Sequence, residues 1–346
     1  MLGGVTVNVI LAFVIYSMIL MVWGERKVPA NSLKYGIVFN DPIFKGLGFK
    51  NGDKILAIDE KPVDDYQDIL RKLIVVDNDV TIERDGKIEK LKMPVDLIGT
   101  LVEKRRKSGG ALISPRIPVI VLGIEDTSAA YKAGLRKSDQ ITAINNQPTK
   151  YFDEFATLME DKKKSDNITL TVKRVDSLIS IPLTLSIDGK VGFNSPFLPE
   201  QFDSLGIYSY TIKNYTFAEA IPGGVRRAGV ELGSYIDQFR KILSPETGAY
   251  KGVGGFKAMG SVFSGTSWDW EHFWTITALF SIILAFMNLL PIPALDGGHV
   301  LFTLYEMVSG RKPSDKFLEY AQIVGMILLL GLMLYANGND WFGWGR

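Results

Sequence analysis

Hydrophobic and polar positions divide the chain into apolar runs near its two ends and an alternating middle. Residues 2–23 carry no charged side chain, and about 22 residues rising ~1.5 Å each reach roughly 33 Å, enough to cross a bilayer. A signal peptide would instead show a positive start, a shorter core and a small-x-small cleavage site. The first charged residue is Glu25, beyond Trp23, so a span is expected. Gly3, Gly4 and Asn8 at its beginning fit close helix packing by small residues, or a polar interior faced by Asn8. A second apolar run starts at Phe273 and ends in Asn288, Pro291, Pro293, Asp296, Gly297, Gly298 and His299; a third runs from about Phe317 to Tyr335. An ionisable group at membrane depth is costly and usually marks function. Helix-breaking residues there are tolerated only inside protein or beside a water-filled cavity. The second run therefore combines span, breaker and carboxylate.

Between the first two runs the period shortens. ILAID at 55–59 alternates, and Asp85-Gly86-Lys87 reads as a hairpin turn between VTIER and IEKLKM. Residues 99–116 are polar and basic (Lys104, Arg105, Arg106, Lys107) and fit a linker or an exposed hairpin. FKNGDKILAIDEKPVDDYQDI from Phe49 and LRKSDQITAINNQPTKYFDEF from Leu135 superpose without a gap at a shift of 86 residues, pairing Asp53 with Asp139 and Pro62 with Pro148. Each copy reads as turn, strand, β-turn, helix and further strand, so an internal repeat of domain-sized units is expected. GLGFKNGDKILAID and KAGLRKSDQITAIN resemble the PDZ domain in the circular form of bacterial envelope proteases, with Ser138 where that family usually has Gly. The resemblance implies modules that bind peptide ends by strand addition, or that screen access by bulk.

Residues 216–243 show helical spacing (Phe217, Ile221, Val225, Leu232, Ile236, Phe239, Leu243), broken early by Pro222, Gly223 and Gly224. An amphipathic helix on the membrane surface and a helix packed on a domain both fit. Six glycines between Gly248 and Gly265 come without a GK[ST] and suggest extended backbone near the membrane. Trp268, Trp270 and Trp274 read as an interfacial belt, and Arg311, Lys312 and Lys316 place the loop between the last two runs on the cytoplasmic side. The repeats and the C-terminus then lie outside.

Composition narrows the chemistry. The 346 residues are 47% hydrophobic and 22% charged, too apolar for an ordinary soluble protein and too charged for a purely membrane one. A net charge of +1 gives no sign of nucleic-acid binding, and with no Cys there is neither disulfide nor thiolate metal site. Asp296 and His299, three apart, share a helix face and form a candidate metal pair. A catalytic zinc generally takes three protein ligands. The one other histidine, His272, lies 24 residues before Asp296, about 36 Å along a continuous helix. These residues alone do not assemble a site; His272 reads as an interfacial residue beside the tryptophans, and His299 as structural or supporting.

NLLPIPALDGGH at 288–299 resembles the N-x-x-P-x-P-x-LDGG signature of the site-2 proteases, zinc metalloproteases that cut within the membrane. GGVTVN at 3–8 is similar to that family's second-span motif, and the tandem PDZ-like repeats match its regulator-of-sigma-E branch. The resemblance implies Asp296 as the carboxylate zinc ligand, Asn288 as a contact to the substrate or the developing oxyanion, and Pro291 and Pro293 as shapers of the bend. Gly297, Gly298, His299, Gly4 and Asn8 would be structural around the site. It also implies a substrate that is a single-span membrane protein, such as a trimmed anti-sigma factor, in the inner membrane of a bacterium. The family's first span carries HExxH, two His ligands and a general base; no HExxH occurs in these 346 residues. A missing upstream segment is the expected reason, and the chain alone is expected to be inactive. The other reading is a non-catalytic, membrane-tethered peptide-binding protein.

The expected fold is thus a multi-span α-helical membrane protein with two inserted α+β PDZ-like domains. Its parts are a span at 1–24, repeats at 25–98 and 117–185 joined by 99–116, and a membrane-associated stretch at 186–266. The motif-bearing span at 267–300, a loop at 301–316 and the last span with its tail at 317–346 complete it.

Overall fold

The computed structural model describes the chain apart from residues 1–2, 76–78, 105–110, 163–164, 187, 197–198, 264–267 and 345–346. Arg105, Arg106, Lys107 and Gly265 therefore lie outside the described residues. The chain folds as two compact units, one of Met1–Arg26, Pro94–Gly109 and Ile212–Arg346, the other of Lys27–Met93 and Gly110–Thr211.

The first unit is helical: α1 (Gly3–Val22), α2 (Leu97–Lys104), α3 (Phe217–Leu243), α4 (Phe256–Ser261), α5 (Trp270–Leu289), α6 (Asp296–Ser309) and α7 (Asp315–Phe342). Helices α1, α5 and α7 are each long and apolar enough to cross a membrane. Contacts run α1 and α5 antiparallel. The Ser281 hydroxyl donates to the Asn8 carbonyl at 2.8 Å near one end, and Arg26 pairs with Glu271 at 2.9 Å near the other. Between them Ala12, Ile15, Tyr16 and Ile19 form one buried cluster with Ala278 and Ile282, small residues letting the backbones approach.

Helix α3 packs lengthwise on α1. Its first turn is fastened by Glu219, whose carboxylate accepts from the Thr216 N–H (3.0 Å) and hydroxyl (2.8 Å). The expected break at Pro222–Gly224 does not occur; the helix runs through it. The glycines serve contact instead: a Cβ on Gly224 would lie 2.2 Å from Ser17 Oγ, and one on Gly223 2.9 Å from Leu20 Cδ1. Pro222 removes one helical hydrogen bond, a cost that this packing offsets. Farther along, Tyr235 and Phe239 meet Phe286 of α5 edge-on at 5.5 and 5.4 Å.

The glycine-rich stretch is not extended. It forms a 3₁₀ turn at Ala249–Gly252 and then α4, because its glycines are sites of close approach. A Cβ on Gly252 would meet Val102 of α2 at 2.9 Å, and one on Gly255 would meet Asn337 Oδ1 of α7 at 2.6 Å. The C-terminal end of α7 clasps this stretch: Asn339 Nδ2 donates to the carbonyls of Lys251 (2.7 Å) and Val253 (2.8 Å), and the Asp340 carboxylate accepts from the N–H groups of Gly255 (2.8 Å) and Ala258 (3.0 Å). Residues 301–309, expected in a loop, continue α6 until Gly310 closes it at φ 66°.

The second unit holds the repeats. The first copy comprises β1 (Ile37–Phe39), β2 (Lys54–Ile58), β3 (Lys61–Pro62), β4 (Asp79–Arg84), β5 (Lys87–Lys92) and β6 (Ile113–Pro115). The second comprises β7 (Gly123–Ile124), β8 (Gln140–Ile144), β9 (Gln147–Pro148), β10 (Asn167–Arg174), β11 (Ser177–Thr184) and β12 (Phe193–Asn194). Each copy has an antiparallel four-stranded sheet, ordered β3-β2-β4-β5 or β9-β8-β10-β11, and a two-stranded one, β1-β6 or β7-β12. The first copy thus recruits β6 from beyond residues 94–104, which fold with the helical unit. The second continues past residue 185, with Val191 in its core and β12 paired to β7.

One device recurs in both copies. Asp53 accepts a two-pronged bond from Arg84 (2.8 and 2.7 Å) and the Lys50 N–H (2.8 Å). Asp139 accepts the same from Arg174 (both 2.8 Å) and the Arg136 N–H (2.8 Å). Both arginines also donate to a glycine carbonyl, Gly48 or Gly134. Ser138 adopts φ 71°, where the first copy has Gly52 at φ 103°, so the departure from Gly keeps the left-handed turn at some strain. Between copies, Arg116 lies 3.9 Å over the Tyr151 ring and binds Asp153 (3.0 and 3.2 Å) and Glu154 (2.7 Å), while Asn51 donates to Asp153 at 2.8 Å.

Candidate metal centre

The second apolar run stops where its prolines require it to. Helix α5 ends at Leu289, and Leu290 turns to extended backbone (φ −61°, ψ 142°), as the residue before a proline prefers. Pro291 then blocks any continuation. A tight turn follows, with the Leu295 N–H donating to the Ile292 carbonyl at 3.0 Å and the Gly298 N–H to the Leu295 carbonyl at 3.1 Å. Ala294 within it adopts φ 89°, a strained value for a residue with a side chain. Asp296 opens α6 on the far side.

Three glycines enclose this turn. A Cβ on Gly297 would lie 2.2 Å from the Leu290 carbonyl oxygen, one on Gly298 2.6 Å from that of Ile292, and one on Gly325 of α7 1.5 Å from that of Pro293. The first turn of α6 therefore sits directly on the turn before it, and α7 backbone presses on Pro293. Asp296 is half-buried, and its Oδ2 lies 3.6 Å from where a Cβ on Gly4 would be, so the carboxylate points at the first turn of α1. Among the described residues, no hydrogen bond or ion pair engages that carboxylate.

Asn288 occupies the last turn of α5, half-buried. Asn8 offers its backbone carbonyl to Ser281. Pro291 is exposed, whereas Pro293 is partly covered. His299 lies one turn beyond Asp296, and its carbonyl accepts from the Thr303 hydroxyl at 2.9 Å. His272 sits exposed in the first turn of α5, its Nε2 2.8 Å from the Val262 carbonyl. It is separated from the Asp296 turn by the length of α5, about 26 Å. Among the described residues no group of three or more His, Cys, Asp or Glu could hold a metal ion. One unengaged carboxylate on a rigid turn fits a single ligand of a hard or borderline cation.

The family model of peptidase family M50 matches residues 1–332. The chain belongs to peptidase family M50. Membership of these site-2 metalloproteases, together with three apolar helices, makes it a membrane protein. Among relatives of this M50 chain, the regulator of sigma E protease of Salmonella typhi is 29% identical over 239 residues, 65% of this chain and 50% of that protein. Metalloprotease MmpA of Caulobacter vibrioides is 27% identical over 343 residues, 98% of this chain and 66% of that protein. The chain spans about half to two thirds of the length of these curated relatives. A solved PDZ domain of the SdrC-like protein of Listeria innocua, 22% identical, covers 23% of this chain and 96% of its own, with a TM-score of 0.22.

Sequence reasoning singled out the M50 motif residues and missed those that hold them. Gly325 lies in LEYAQIVGMILLLGLML, where nothing distinguishes it from Gly331. Ser281, Gly223 and Gly224 make helix–helix contacts that no spacing within one helix announces. The strained Ala294 sits between Pro293 and Leu295, and the two nearby prolines were the available signal.

Proposed function

We propose that this chain is the greater part of a zinc-dependent intramembrane endopeptidase, in which Asp296 is one metal ligand. The observation that carries the reading is the unengaged Asp296 carboxylate at the end of a broken membrane helix, turned towards Gly4 of α1. Zinc, when bound, supplies a water of lowered pKa and polarises the scissile carbonyl. Its remaining ligands and the general base come from an HExxH segment, which these 346 residues do not contain. Asn288, eight residues before Asp296, contacts the substrate or the developing oxyanion. Pro291 and Pro293 end α5 and shape the bend that turns Asp296 towards the metal. Gly297, Gly298 and His299 complete the first turn of α6, and Gly4 and Asn8 line the approach from α1.

The substrate is a single-span membrane protein of the anti-sigma-factor type, already trimmed on its outer side. The PDZ-like repeats filter it, by bulk or by engaging its new end. The setting is the inner membrane of a bacterium, with the repeats outside and the Arg311–Lys316 side in the cytoplasm. The test pairs zinc content with cleavage of a single-span reporter, in the protein joined to its HExxH segment. Asp296→Ala should remove both while the protein stays folded. Retained cleavage in Asp296→Ala overturns the ligand role, whereas neither zinc nor cleavage in the parent protein favours a membrane-tethered peptide-binding protein.

A further inference from the structure

Helix α7 is 28 residues long, and its buried residues are Gly325, Ala336, Gly338 and Asn339. The last three lie at its C-terminal end, where Asn339 and Asp340 clasp residues 251–258. Gly325 stands apart, 14 residues or about 21 Å before Asn339, against the Pro293 carbonyl. We infer that Gly325 is a positioning residue for Asp296: the bare backbone of α7 is the seat on which the Pro293–Asp296 turn rests. The assignment deepens the metal-ligand reading of Asp296 and rests on it for its consequence in catalysis.

The geometry leaves no slack. A Cβ on Gly325 would lie 1.5 Å from the Pro293 oxygen, whereas real Cβ atoms essentially never approach within 3.0 Å, so turn or helix must move by about 1.5 Å. The helix cannot readily swing away, because its far end is clasped by Asn339 and Asp340. The turn cannot absorb the shift, because Gly298 packs on Ile292 and Pro293 from the other side and Ala294 is already at φ 89°. Displacement therefore passes along three residues to Asp296. A misplacement of about 1 Å at a reacting group can cost on the order of 10²-fold in rate. Gly331, two turns on, has nothing within 4 Å of its Cβ position and provides a matched control.

These 346 residues have no Cys, so with any Cys of the joined HExxH segment replaced by Ser, engineered pairs report distances without background. Gly4→Cys with Asp296→Cys reads the carboxylate's position. Ala12→Cys with Ala278→Cys, in the α1–α5 core, reads the fold. Both pairs are oxidised in membranes containing the full-length protein. Gly325→Ala should lower formation of the 4–296 bond roughly tenfold, the scale of an overpacked contact, and leave the 12–278 bond unchanged; Gly331→Ala should alter neither. An undiminished 4–296 bond in Gly325→Ala, an equal loss of both bonds, or the same loss in Gly331→Ala would overturn the proposal. These readouts need no activity. If they come out as expected while Asp296→Ala still cleaves substrate, the positioning stands and the metal-ligand reading fails.

Discussion

Asp139 and Asp296 are both aspartates at turns, and their surroundings are opposite. Asp139 is buried with both oxygens engaged: Oδ1 accepts from one prong of Arg174, and Oδ2 from the other prong and from the Arg136 N–H. Burial alone would raise its carboxyl, but those donors outweigh burial and hold it below the usual carboxylate range. Asp53 repeats the arrangement in the first copy. Asp296 is held just as firmly through its backbone, between Gly297, Gly298 and the seat at Gly325, yet its carboxylate engages no partner among the described residues. A fold that spends such effort on placing a carboxylate and none on satisfying it has left the group available for a ligand. The repeat aspartates serve stability; on the proposed reading Asp296 serves chemistry.

That contrast can be broken in order of expected effect. Asp296→Ala should reduce cleavage by the complete protein at least about 10³-fold, since loss of a metal ligand removes the charge stabilisation it supports, and should leave the thermal midpoint nearly unchanged. A reporter assay beside a melting curve checks both halves. Asp139→Ala should do the reverse, costing about 3 kcal/mol by leaving Arg174 uncompensated. That is the low end for a buried pair, because the Arg174 side chain is 22% exposed. Denaturant unfolding of the whole chain would register the loss, and intrinsic cleavage per folded molecule should survive it. Arg116→Ala should cost about 2 kcal/mol by freeing Asp153 and Glu154 at the junction of the copies, measured in the same way. The smallest effect is one of pH. Because the folded pKa of Asp139 is depressed, its stabilisation is fully present above the unfolded carboxylate value near 4 and is lost as pH falls through the folded value. Stability should therefore decline with acid below about pH 4, and the decline should be shallower in Asp139→Asn.

The comparison also separates what the sequence made legible from what it did not. The 86-residue shift exposed Asp53 and Asp139 as equivalent, and a local motif marked Asp296, because both signals lie within short stretches. The Arg84 and Arg174 partners sit about 30 residues away on β4 and β10, at different offsets from their aspartates. Gly325 lies 32 residues beyond Pro293 in an even apolar run. Close approach belongs to a pair of segments, and neither member shows it alone. The same cause explains the unbroken α3, whose Pro222-Gly223-Gly224 reads as a break until Ser17 is beside it, and the glycine-rich stretch, folded against α2 and α7. Residues 94–104 read as part of a repeat or a linker, and they fold with the helices because Gly99 and Val102 of α2 find Gly248 and Gly252 there.

The central claim is that Asp296 is left unsatisfied in order to hold a metal, and zinc stoichiometry tests it most directly. Purified after its HExxH segment is joined to it, the protein should retain about one zinc per chain, as a catalytic site requires. Asp296→Ala should retain almost none, while Asp139→Ala, once folded, keeps its zinc. A full complement of zinc in Asp296→Ala would contradict the account.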